Sequence, residues 1–446
     1  MHIIPLSFFI LILTGTGLLM LPIASMTGEE TSFTTALFTS TTSVCVTGLV
    51  VVDTYAHWSL FGQAVILMLI QIGGLGVVSV TAIIVHGRGQ KITYGELKLI
   101  EDSMNVDEDR SLMRFLSRVF KGAFLVEGIG AFLYALELVP RLGLGEGLWA
   151  SVFQSVSAFC NAGMDVMVPD SMIPFRDSPL MMGVTMALIV FGGIGFVVWF
   201  DVFDGIRRGM KKRFAPGKVI RHLSEHTKAA LMMTAILLAA GTIGVLAAEF
   251  NNPATIGEMT LPQKIGNSLF QSVTFRTAGF ASLPQDQLTE ITCGIGYVLM
   301  FIGGSPGGTA GGVKTVTVFL VAMNAISYMK GKKENVAFHR RVSEELMRKA
   351  SAVLVVSLGT LFVMTMLLMS RGGIKLTDAM YEITSALGTV GLSRNLTPHL
   401  DDPGRLIVIT SMYLGRIGPI SMALFFAKKI GNENKIRHAD GKFYVG

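Results

Sequence analysis

Eight apolar segments dominate this chain of 446 residues, and they restrict the folds open to it more than any other feature. A bilayer core needs about 20 helical residues, and backbone at that depth must find its hydrogen bonds within the protein. Charged residues make up only 15% of the chain, whereas soluble domains carry about 25%. The sequence therefore predicts an all-α polytopic membrane protein. The segments span roughly 5–22, 60–85, 115–139, 180–203, 229–250, 291–329, 350–370 and 405–427.

A shorter and less apolar stretch lies between the two members of each successive pair of segments. These stretches cover 32–44, 147–160, 263–275 and 377–388. They are too short to cross a bilayer, and their length favours re-entrant half-helices.

Each short stretch ends in a similar phrase that contains a glycine. The glycines are Gly48, Gly163, Gly279 and Gly391, at intervals of 115, 116 and 112 residues. A phrase that returns at a nearly constant period indicates internal repetition. The sequence thus predicts four M1–pore-loop–M2 pseudo-repeats, with eight transmembrane helices and four re-entrant half-helices around one pore.

The repeats predict boundaries along the chain. Repeat 1 covers 1–86, repeat 2 covers 114–205, repeat 3 covers 229–329 and repeat 4 covers 350–430. Cytoplasmic linkers are expected at 87–113, 206–228 and 330–349, with a C-terminal tail at 431–446. The apolar end of that tail suggests packing against a neighbouring chain. The N-terminal apolar stretch lacks a signal-cleavage site, so it is interpreted as the first span.

Lys and Arg placement predicts the orientation. Of the 37 such residues, 27 lie in the segments between repeats and in the tail. The positive-inside rule places these parts and both termini in the cytoplasm, so the half-helices enter from outside. This placement also explains the formal charge of +6 without a nucleic-acid partner.

The glycine phrases predict a cation site built from backbone. A half-helix that enters from outside points its carbonyl end, which carries partial negative charge, at the membrane interior. The extended residues that follow can replace an ion's hydration shell with carbonyl oxygens. No acidic side chain stands there, which favours a monovalent cation. The candidate ion-binding residues are Val46, Thr47, Gly48, Asn161, Ala162, Gly163, Thr277, Ala278, Gly279, Thr389, Val390 and Gly391.

A glycine-rich run, 303–312, interrupts the apolar segment 291–329. Gly307 and Gly312 have the spacing of a phosphate-binding loop, but Val313 separates Gly312 from Lys314, and no strand-to-helix unit surrounds the run. The run lies 24 residues beyond Gly279 and is therefore expected below the ion site. A loop of this kind suits a gate. The candidate gate residues are Gly303, Gly304, Ser305, Pro306, Gly307, Gly308, Thr309, Ala310, Gly311, Gly312, Lys314 and Arg416.

Related glycine patterns recur in the other second spans, at 73–76, 192–195 and 415–418. For the first two, close helix packing through small residues is the favoured interpretation. A non-helical insert is expected only in the third repeat. The three cysteines, Cys45, Cys160 and Cys293, have neither disulfide nor metal spacing and are expected to be packing thiols.

At this point the chain resembles the Ktr/Trk/HKT superfamily of potassium transporters. The four glycine phrases carry the resemblance, and Gln71–Gly76, Gly415–Pro419 and Ile436–Gly441 make the chain most similar to bacterial KtrB subunits. Trk-type relatives have additional N-terminal spans, and this chain starts at the first repeat. Pro306 departs from the pattern, because it stiffens a loop expected to be flexible.

The resemblance implies a K+-translocating subunit of the bacterial plasma membrane that forms a homodimer with one pore per protomer. It also implies gating by a cytosolic nucleotide-binding ring of the RCK type, which this sequence does not encode. Glycine at 48 favours K+ over Na+ in this superfamily. Na+ remains open as an activator or coupling ion. No organic cofactor and no enzymatic activity are expected.

Four buried ionisable residues carry specific expectations. Arg416 is expected in the cavity below the ion site, opposite the gating loop, with a structural pair to Glu127 as the alternative. Lys314 is either a switch contact or a hydrogen-bond donor to loop carbonyls. Arg276 either braces loop carbonyls or extends outward, and Glu382 is expected to support the fourth half-helix. His57 and His86 are expected at the interface, and Asp201 and Asp204 in solvent.

Overall fold

The computed structural model describes residues 3–77, 79–80, 112–167, 171–213, 216–332 and 334–418 and is almost entirely helical, as predicted. One small antiparallel hairpin in the linker 330–349, formed by β1 (Val336–Ala337) and β2 (Arg340–Arg341), departs from the all-α expectation. In chain order the helices are α1 (Ile3–Leu19), α2 (Phe33–Val44), α3 (Thr54–His57), α4 (Leu60–Leu75), α5 (Leu112–Leu142), α6 (Leu144–Phe159), α7 (Pro179–Gly193), α8 (Phe196–Lys212), α9 (Pro216–Arg221), α10 (Glu225–Glu249), α11 (Leu261–Thr274), α12 (Glu290–Phe301), α13 (Thr315–Met329), α14 (Glu344–Met369), α15 (Leu376–Gly388) and α16 (Asp402–Ile417).

Polar side chains set the start of many of these helices. A hydroxyl or carboxylate at the residue before the helix accepts a hydrogen bond from an otherwise unpaired N–H group of the first turn. Without such a partner, these N–H groups would be costly to bury in an apolar environment. The capping residues are Ser32, Ser59, Ser178, Ser224, Thr289, Ser343 and Asp401.

Twelve of the helices form four similar units, each with an outer helix, a short helix and an inner helix. The units are α1–α2–α4, α5–α6–α7, α10–α11–α12 and α14–α15–α16, and within each the outer helix contacts both others. The short helices have 12, 16, 14 and 13 residues, fewer than a bilayer crossing needs. They coincide with the four stretches expected to form half-helices, except that α6 begins three residues earlier than predicted, at Leu144.

The four units close into a ring. The inner helix of each unit contacts the short helix of the next: α4 packs on α6, α7 on α11, α12 on α15, and α16 on α2. The last contact joins the C-terminal unit to the N-terminal one. The short helices therefore surround a common centre in chain order.

Glycines allow the inner helices to lie against the short helices. A Cβ atom added at Gly73, Gly192 or Gly415 would lie less than 3.0 Å from a carbonyl oxygen at the end of a short helix, namely that of Val44, Phe159 or Leu387. Real Cβ atoms do not approach so closely. The interpretation as close packing is therefore confirmed at Gly73 and Gly192, and Gly415 of the fourth unit packs in the same way.

The expectation of a single interrupted helix is wrong. The chain breaks between α7 and α8 with a bend of 99°, and Gly195 has a φ of 96° at the break. Gly76 directly follows α4 and Gly418 directly follows α16, with φ of 91° and 90°. Glycine reaches these angles without the steric penalty that other residues incur. The predicted straight span 180–203 is consequently two helices.

Three helices in the described ranges are long and apolar enough to cross a membrane: Arg114–Leu142, Glu225–Glu249 and Glu344–Met369. The bent pair α7 and α8 adds a fourth if counted as one span. This number is below the eight predicted, because glycine breaks interrupt the inner helices and because residues 81–111 and 419–446 lie outside the described parts of the chain. Three further expectations fall on residues outside the described parts of the chain: His86, the tail 431–446, and the linker 87–113 apart from its last two residues.

The outward faces of the long helices are apolar. Phe132 on α5 and Phe362 on α14 are 66% and 65% exposed. The short helices inside the ring of four units are instead rich in buried hydroxyl groups, including Ser40 and Thr41 of α2 and Ser272 of α11. This inversion of the soluble pattern is what a protein surrounded by lipid requires.

Candidate ion pathway

Left-handed backbone recurs at two equivalent positions after each short helix. The first position, two residues before the glycine, has φ values of 49°, 58°, 64° and 50° at Val46, Asn161, Thr277 and Thr389. The second is the glycine itself, with φ values of 98°, 66°, 86° and 98° at Gly48, Gly163, Gly279 and Gly391. Non-glycine residues seldom adopt such angles, and strained backbone of this kind concentrates at functional sites. All twelve candidate ion-binding residues lie in these four segments.

The four glycines meet around one axis. A Cβ atom added at Gly48 would lie 2.5 Å from the Ala162 carbonyl oxygen, and one at Gly163 would lie 2.6 Å from that of Ala278. A Cβ atom added at Gly279 would lie equally close to the Val390 carbonyl oxygen. Gly391 faces the Thr47 carbonyl oxygen and closes the circle. Backbone from four distant parts of the chain thus forms one narrow ring.

Hydroxyl groups on the last turn of each short helix hold these segments in place. Thr42 Oγ1 accepts from the Gly48 N–H at 2.9 Å, and Ser385 Oγ accepts from the Gly391 N–H at 3.0 Å. Thr274 Oγ1 donates to the Phe280 carbonyl, and Ser157 Oγ bonds both backbone groups of Met164. We did not predict this role, although a Ser or Thr five or six residues before the glycine is a visible part of each repeated phrase.

The partial charges around the ring are of the sign that attracts a cation. The carbonyl ends of α2, α6, α11 and α15 contribute partial negative charge. The ring segments contain no acidic side chain, and within the described ranges no group of three or more His, Cys, Asp or Glu could hold a metal ion. Coordination would therefore come from carbonyl oxygens.

The glycine-rich loop folds on itself and lies against one side of the ring. Its two ends pair through hydrogen bonds of 3.0 Å from the Gly303 N–H to the Val313 carbonyl and from the Val313 N–H to the Phe301 carbonyl. A Cβ atom added at Gly311 would collide with the Thr389 hydroxyl of the ring. Thr309 Oγ1 lies 3.0 Å from Asn161 Oδ1 and donates to the Phe159 carbonyl at 3.1 Å.

The loop also pairs with the broken helix of the second unit. The Ser305 N–H donates to the Gly193 carbonyl at 2.9 Å, and the Thr309 N–H donates to the Gly192 carbonyl at 3.0 Å. In return, the Phe196 N–H donates to the Gly307 carbonyl at 3.0 Å. Broken backbone at membrane depth must find such partners within the protein. The breaks of the second and third units satisfy one another.

Arg416 connects the loop to the first unit. Its guanidinium donates to the Thr309 carbonyl at 2.5 Å and to the Gly73 carbonyl at 2.6 Å. The alternative pairing with Glu127 is wrong, because the Glu127 carboxylate instead accepts from Gln71 Nε2 at 3.1 Å. Carbonyl oxygens are the partners of this partly buried guanidinium in the described parts of the chain.

Two further cations contact loop carbonyls. Lys314 Nζ donates to the Ala310 carbonyl at 2.6 Å, in agreement with its interpretation as a donor to the loop. Arg276 is buried and donates to the Gly303 carbonyl at 3.1 Å. It therefore bonds the glycine-rich loop, not the carbonyls of its own segment, and does not extend outward.

The remaining expected residues occupy supporting positions. The Glu382 carboxylate on α15 is fully buried and accepts from Ser393 Oγ at 2.7 Å and from Thr397 Oγ1, so it ties the fourth short helix to the segment after the ring. His57 is partly buried beside Thr31. Asp204 is exposed, whereas Asp201 accepts from the Ser224 N–H at 2.8 Å and is only partly in solvent. All three cysteines are free and buried.

A carbonyl-lined ring at the ends of short helices, enclosed by apolar outer helices, defines a multi-pass membrane protein of the transport class. The comparison with known families is specific on this point. The chain belongs to the TrkH family of cation transport proteins, which matches residues 2–437. It is therefore a transporter and not an enzyme.

Several characterised proteins are similar over nearly their full length. The Ktr system potassium uptake protein B of Bacillus subtilis is 37% identical, with 100% of this chain and 96% of the relative covered. The potassium/sodium uptake protein NtpJ of Enterococcus hirae is 36% identical, with 94% and 90% covered. The crystal structure of the potassium transporter TrkH from Vibrio parahaemolyticus shares the fold, with a TM-score of 0.72, 16% identity, and 95% and 85% coverage.

Proposed function

We propose that this protein is the K+-translocating subunit of an uptake system in the bacterial plasma membrane. The observation that carries the proposal is the ring in which Gly48, Gly163, Gly279 and Gly391 each face a carbonyl oxygen of the next segment. Such carbonyls replace the hydration shell of an ion that loses its water readily. The names of the relatives from Bacillus subtilis and Enterococcus hirae, which both include potassium uptake, support K+ as the transported ion.

In the proposed arrangement, eight transmembrane helices surround one pore and four re-entrant half-helices enter it from outside. Both termini are cytoplasmic, as the Lys and Arg distribution favours. The twelve ring residues form the selectivity filter. Their side chains are uncharged, so backbone oxygens determine which ion is held.

The loop 303–312 is the proposed gate. It lies against the ring through Thr309 and Gly311, and Arg416 holds it to the first unit. An ion that leaves the ring on the loop side would meet both the loop and a positive charge. Opening requires the loop to exchange its bonds to Gly192 and Gly193 for others. Such a two-state segment is suited to control by a partner.

The proposed partners are a second copy of the chain and a cytosolic nucleotide-binding ring of the RCK type. The relative from Bacillus subtilis is named as protein B of a Ktr system, which supports a multi-component assembly. The cytosolic nucleotide-binding ring would act on the cytoplasmic ends of the inner helices. Displacement of α13, which follows the loop directly, would move the loop itself.

A Na+- or H+-coupled symporter of the same fold is the alternative. The relative NtpJ is named as a potassium/sodium uptake protein, which is the observation in its favour. Na+ would then be a coupling ion or an activator. Proton coupling would need a titratable relay, and the ring segments contain no acidic side chain.

Uptake of radioactive Rb+ into proteoliposomes, with Na+ and Li+ as competitors, tests the proposal. We expect K+ to inhibit Rb+ uptake at concentrations at least tenfold lower than those at which Na+ or Li+ inhibits it. A tenfold difference corresponds to about 1.4 kcal/mol of differential binding. Equal competition by Na+ would contradict K+ selectivity. Uptake that requires a Na+ or pH gradient would instead support the symporter.

A further inference from the structure

An open groove lies on the outer face of the third unit, away from the ion pathway. It has a volume of about 350 Å³ and runs between α10, α13 and the segment that leads into the β1–β2 hairpin. Sites for small molecules typically have volumes of about 300–1,000 Å³. The wall of the groove includes Met232, Met233, Phe319, Ala322, Met323 and Ile326.

The wall of the groove is apolar and adaptable. Three of the lining residues are methionines, whose flexible thioether side chains adjust to irregular apolar partners. Ile326 is 47% exposed and Met232 is 38% exposed. An empty apolar groove beside lipid would forfeit dispersion contacts along its whole wall. A hydrocarbon chain is the partner that the surrounding medium supplies.

Two lysines lie at one end of the groove. Lys330 follows the last residue of α13, and Lys332 lies two residues further on. Both are exposed, and among the described residues no carboxylate forms an ion pair with either amine. The neighbouring carboxylates of Glu225 and Glu334 are paired with Arg340 at 3.0 Å and with Arg341 at 3.4 Å. The two lysine charges therefore face outward and can bind an anion.

The hairpin holds this end of the groove in shape. Phe338 at its turn stacks on Phe319, with ring centroids 5.9 Å apart. Asn335 Nδ2 donates to Asn324 Oδ1 of α13 at 2.9 Å. Both residues of the turn, Phe338 and His339, have positive φ, so the turn is held by these contacts against its own backbone preference. The groove is thus preformed and does not require a ligand to assemble it.

We propose that the groove binds an anionic phospholipid, with an acyl chain along the methionine wall and the headgroup phosphate between Lys330 and Lys332. Basic pockets between membrane helices on the cytoplasmic side recognise anionic headgroups in this way. The site is separate from the filter and the gate. The proposal of a lipid site does not depend on which ion the pore carries.

Native mass spectrometry of the full chain in detergent, with phosphatidylglycerol and phosphatidylcholine of equal chain length, tests the site. We expect wild type to retain phosphatidylglycerol preferentially. K330Q/K332Q should bind it about 30-fold more weakly, since each lysine near an anionic headgroup contributes about a factor of five. The matched control R348Q/K349Q removes two exposed charges at the start of the adjacent helix α14 and should bind as wild type.

A second variant tests the apolar half of the groove. A322W places an indole in the groove at an exposed position, so folding should be preserved, and we expect a similar loss of phosphatidylglycerol binding. The proposal is wrong if K330Q/K332Q retains full binding, if the control loses as much, or if inorganic phosphate displaces the lipid. It is also wrong if A322W converts dimers to monomers without changing lipid binding, because the groove would then be a subunit interface.

Discussion

The Arg416 guanidinium donates a hydrogen bond of 2.5 Å to the carbonyl oxygen of Thr309, a residue 107 positions earlier in the chain. The same guanidinium reaches the Gly73 carbonyl, 343 positions earlier. One side chain of the fourth unit therefore joins the first unit to the glycine-rich loop. A single charge in this position can hold the loop and repel a cation at the same time.

Replacing Arg416 should open the pathway. The hydrogen bonds of a charged donor contribute about 1.5–3 kcal/mol, and a barrier lowered by 1.4 kcal/mol corresponds to a tenfold faster rate. We expect R416A to raise Rb+ uptake into proteoliposomes about tenfold in the absence of any partner. R208A, which removes an exposed cation on α8, is the control. Unchanged uptake by R416A would contradict the barrier.

Substitution of Gly48 should weaken selectivity. The added Cβ would lie 2.5 Å from the Ala162 carbonyl oxygen, in a backbone with φ of 98°, so the ring must widen locally. We expect G48S to reduce the preference for Rb+ over Na+ about tenfold, equivalent to about 1.4 kcal/mol of differential binding. G17S makes the same substitution in α1, where no atom lies within 4 Å of the added Cβ. It should leave the competition between Rb+ and Na+ unchanged. Wild-type selectivity in G48S would exclude Gly48 from the filter.

Removal of the Thr309 hydroxyl should loosen the gating loop without changing its shape. T309V loses the contacts to Phe159 and Asn161, which contribute about 1–2 kcal/mol together. We expect the amides of the loop to exchange hydrogen about tenfold faster, as measured by mass spectrometry. T360V removes a hydroxyl that bonds only within α14 and is the matched control. Equal exchange in T309V and wild type would show that these contacts do not restrain the loop.

The ion pair between Arg371 and Asp401, which connects the outer and inner helices of the fourth unit, should weaken at low pH. The hydrogen bond from Arg371 and the N–H of Gly404 lower the pKa of Asp401 below its ordinary value of 3.8. A depressed pKa contributes stability above the unfolded-state value, and this contribution is lost as pH falls through the folded-state value. D401N should therefore lower the melting temperature slightly at pH 7 and have a smaller effect at a pH below the ordinary value of 3.8, where this contribution is being lost. An equal shift at both pH values would attribute the effect to packing instead.

The site was predictable wherever a local sequence pattern carries the chemistry. The recurrence of Gly48, Gly163, Gly279 and Gly391 is visible in one dimension, and it predicted that four segments perform one task. Glycine in an apolar helix is ambiguous, however, because it permits both close packing and a break. At Gly195 the expectation of packing missed the 99° bend, since the broken backbone is satisfied only by the loop of another unit.

Partners of buried charges were harder to predict. The sequence placed Arg416 and Arg276 at membrane depth, and each needs a polar partner there. Carbonyl oxygens are available at every residue, so the sequence has no marker for the ones that are used. The Gly303 carbonyl becomes the acceptor of Arg276 only because the loop is unwound at that point.

From the sequence alone, a polytopic helical membrane protein follows, with four similar units and with uncharged backbone-rich segments at its centre. These conclusions rest on hydrophobic length and on repetition, which are properties of the chain read in order. Only the tertiary structure decided that the units close into a ring, that the loop lies against it, and that Arg416 bridges the first and fourth units. Those relationships depend on contacts between residues far apart in the chain, whose geometry is set by how the helices pack.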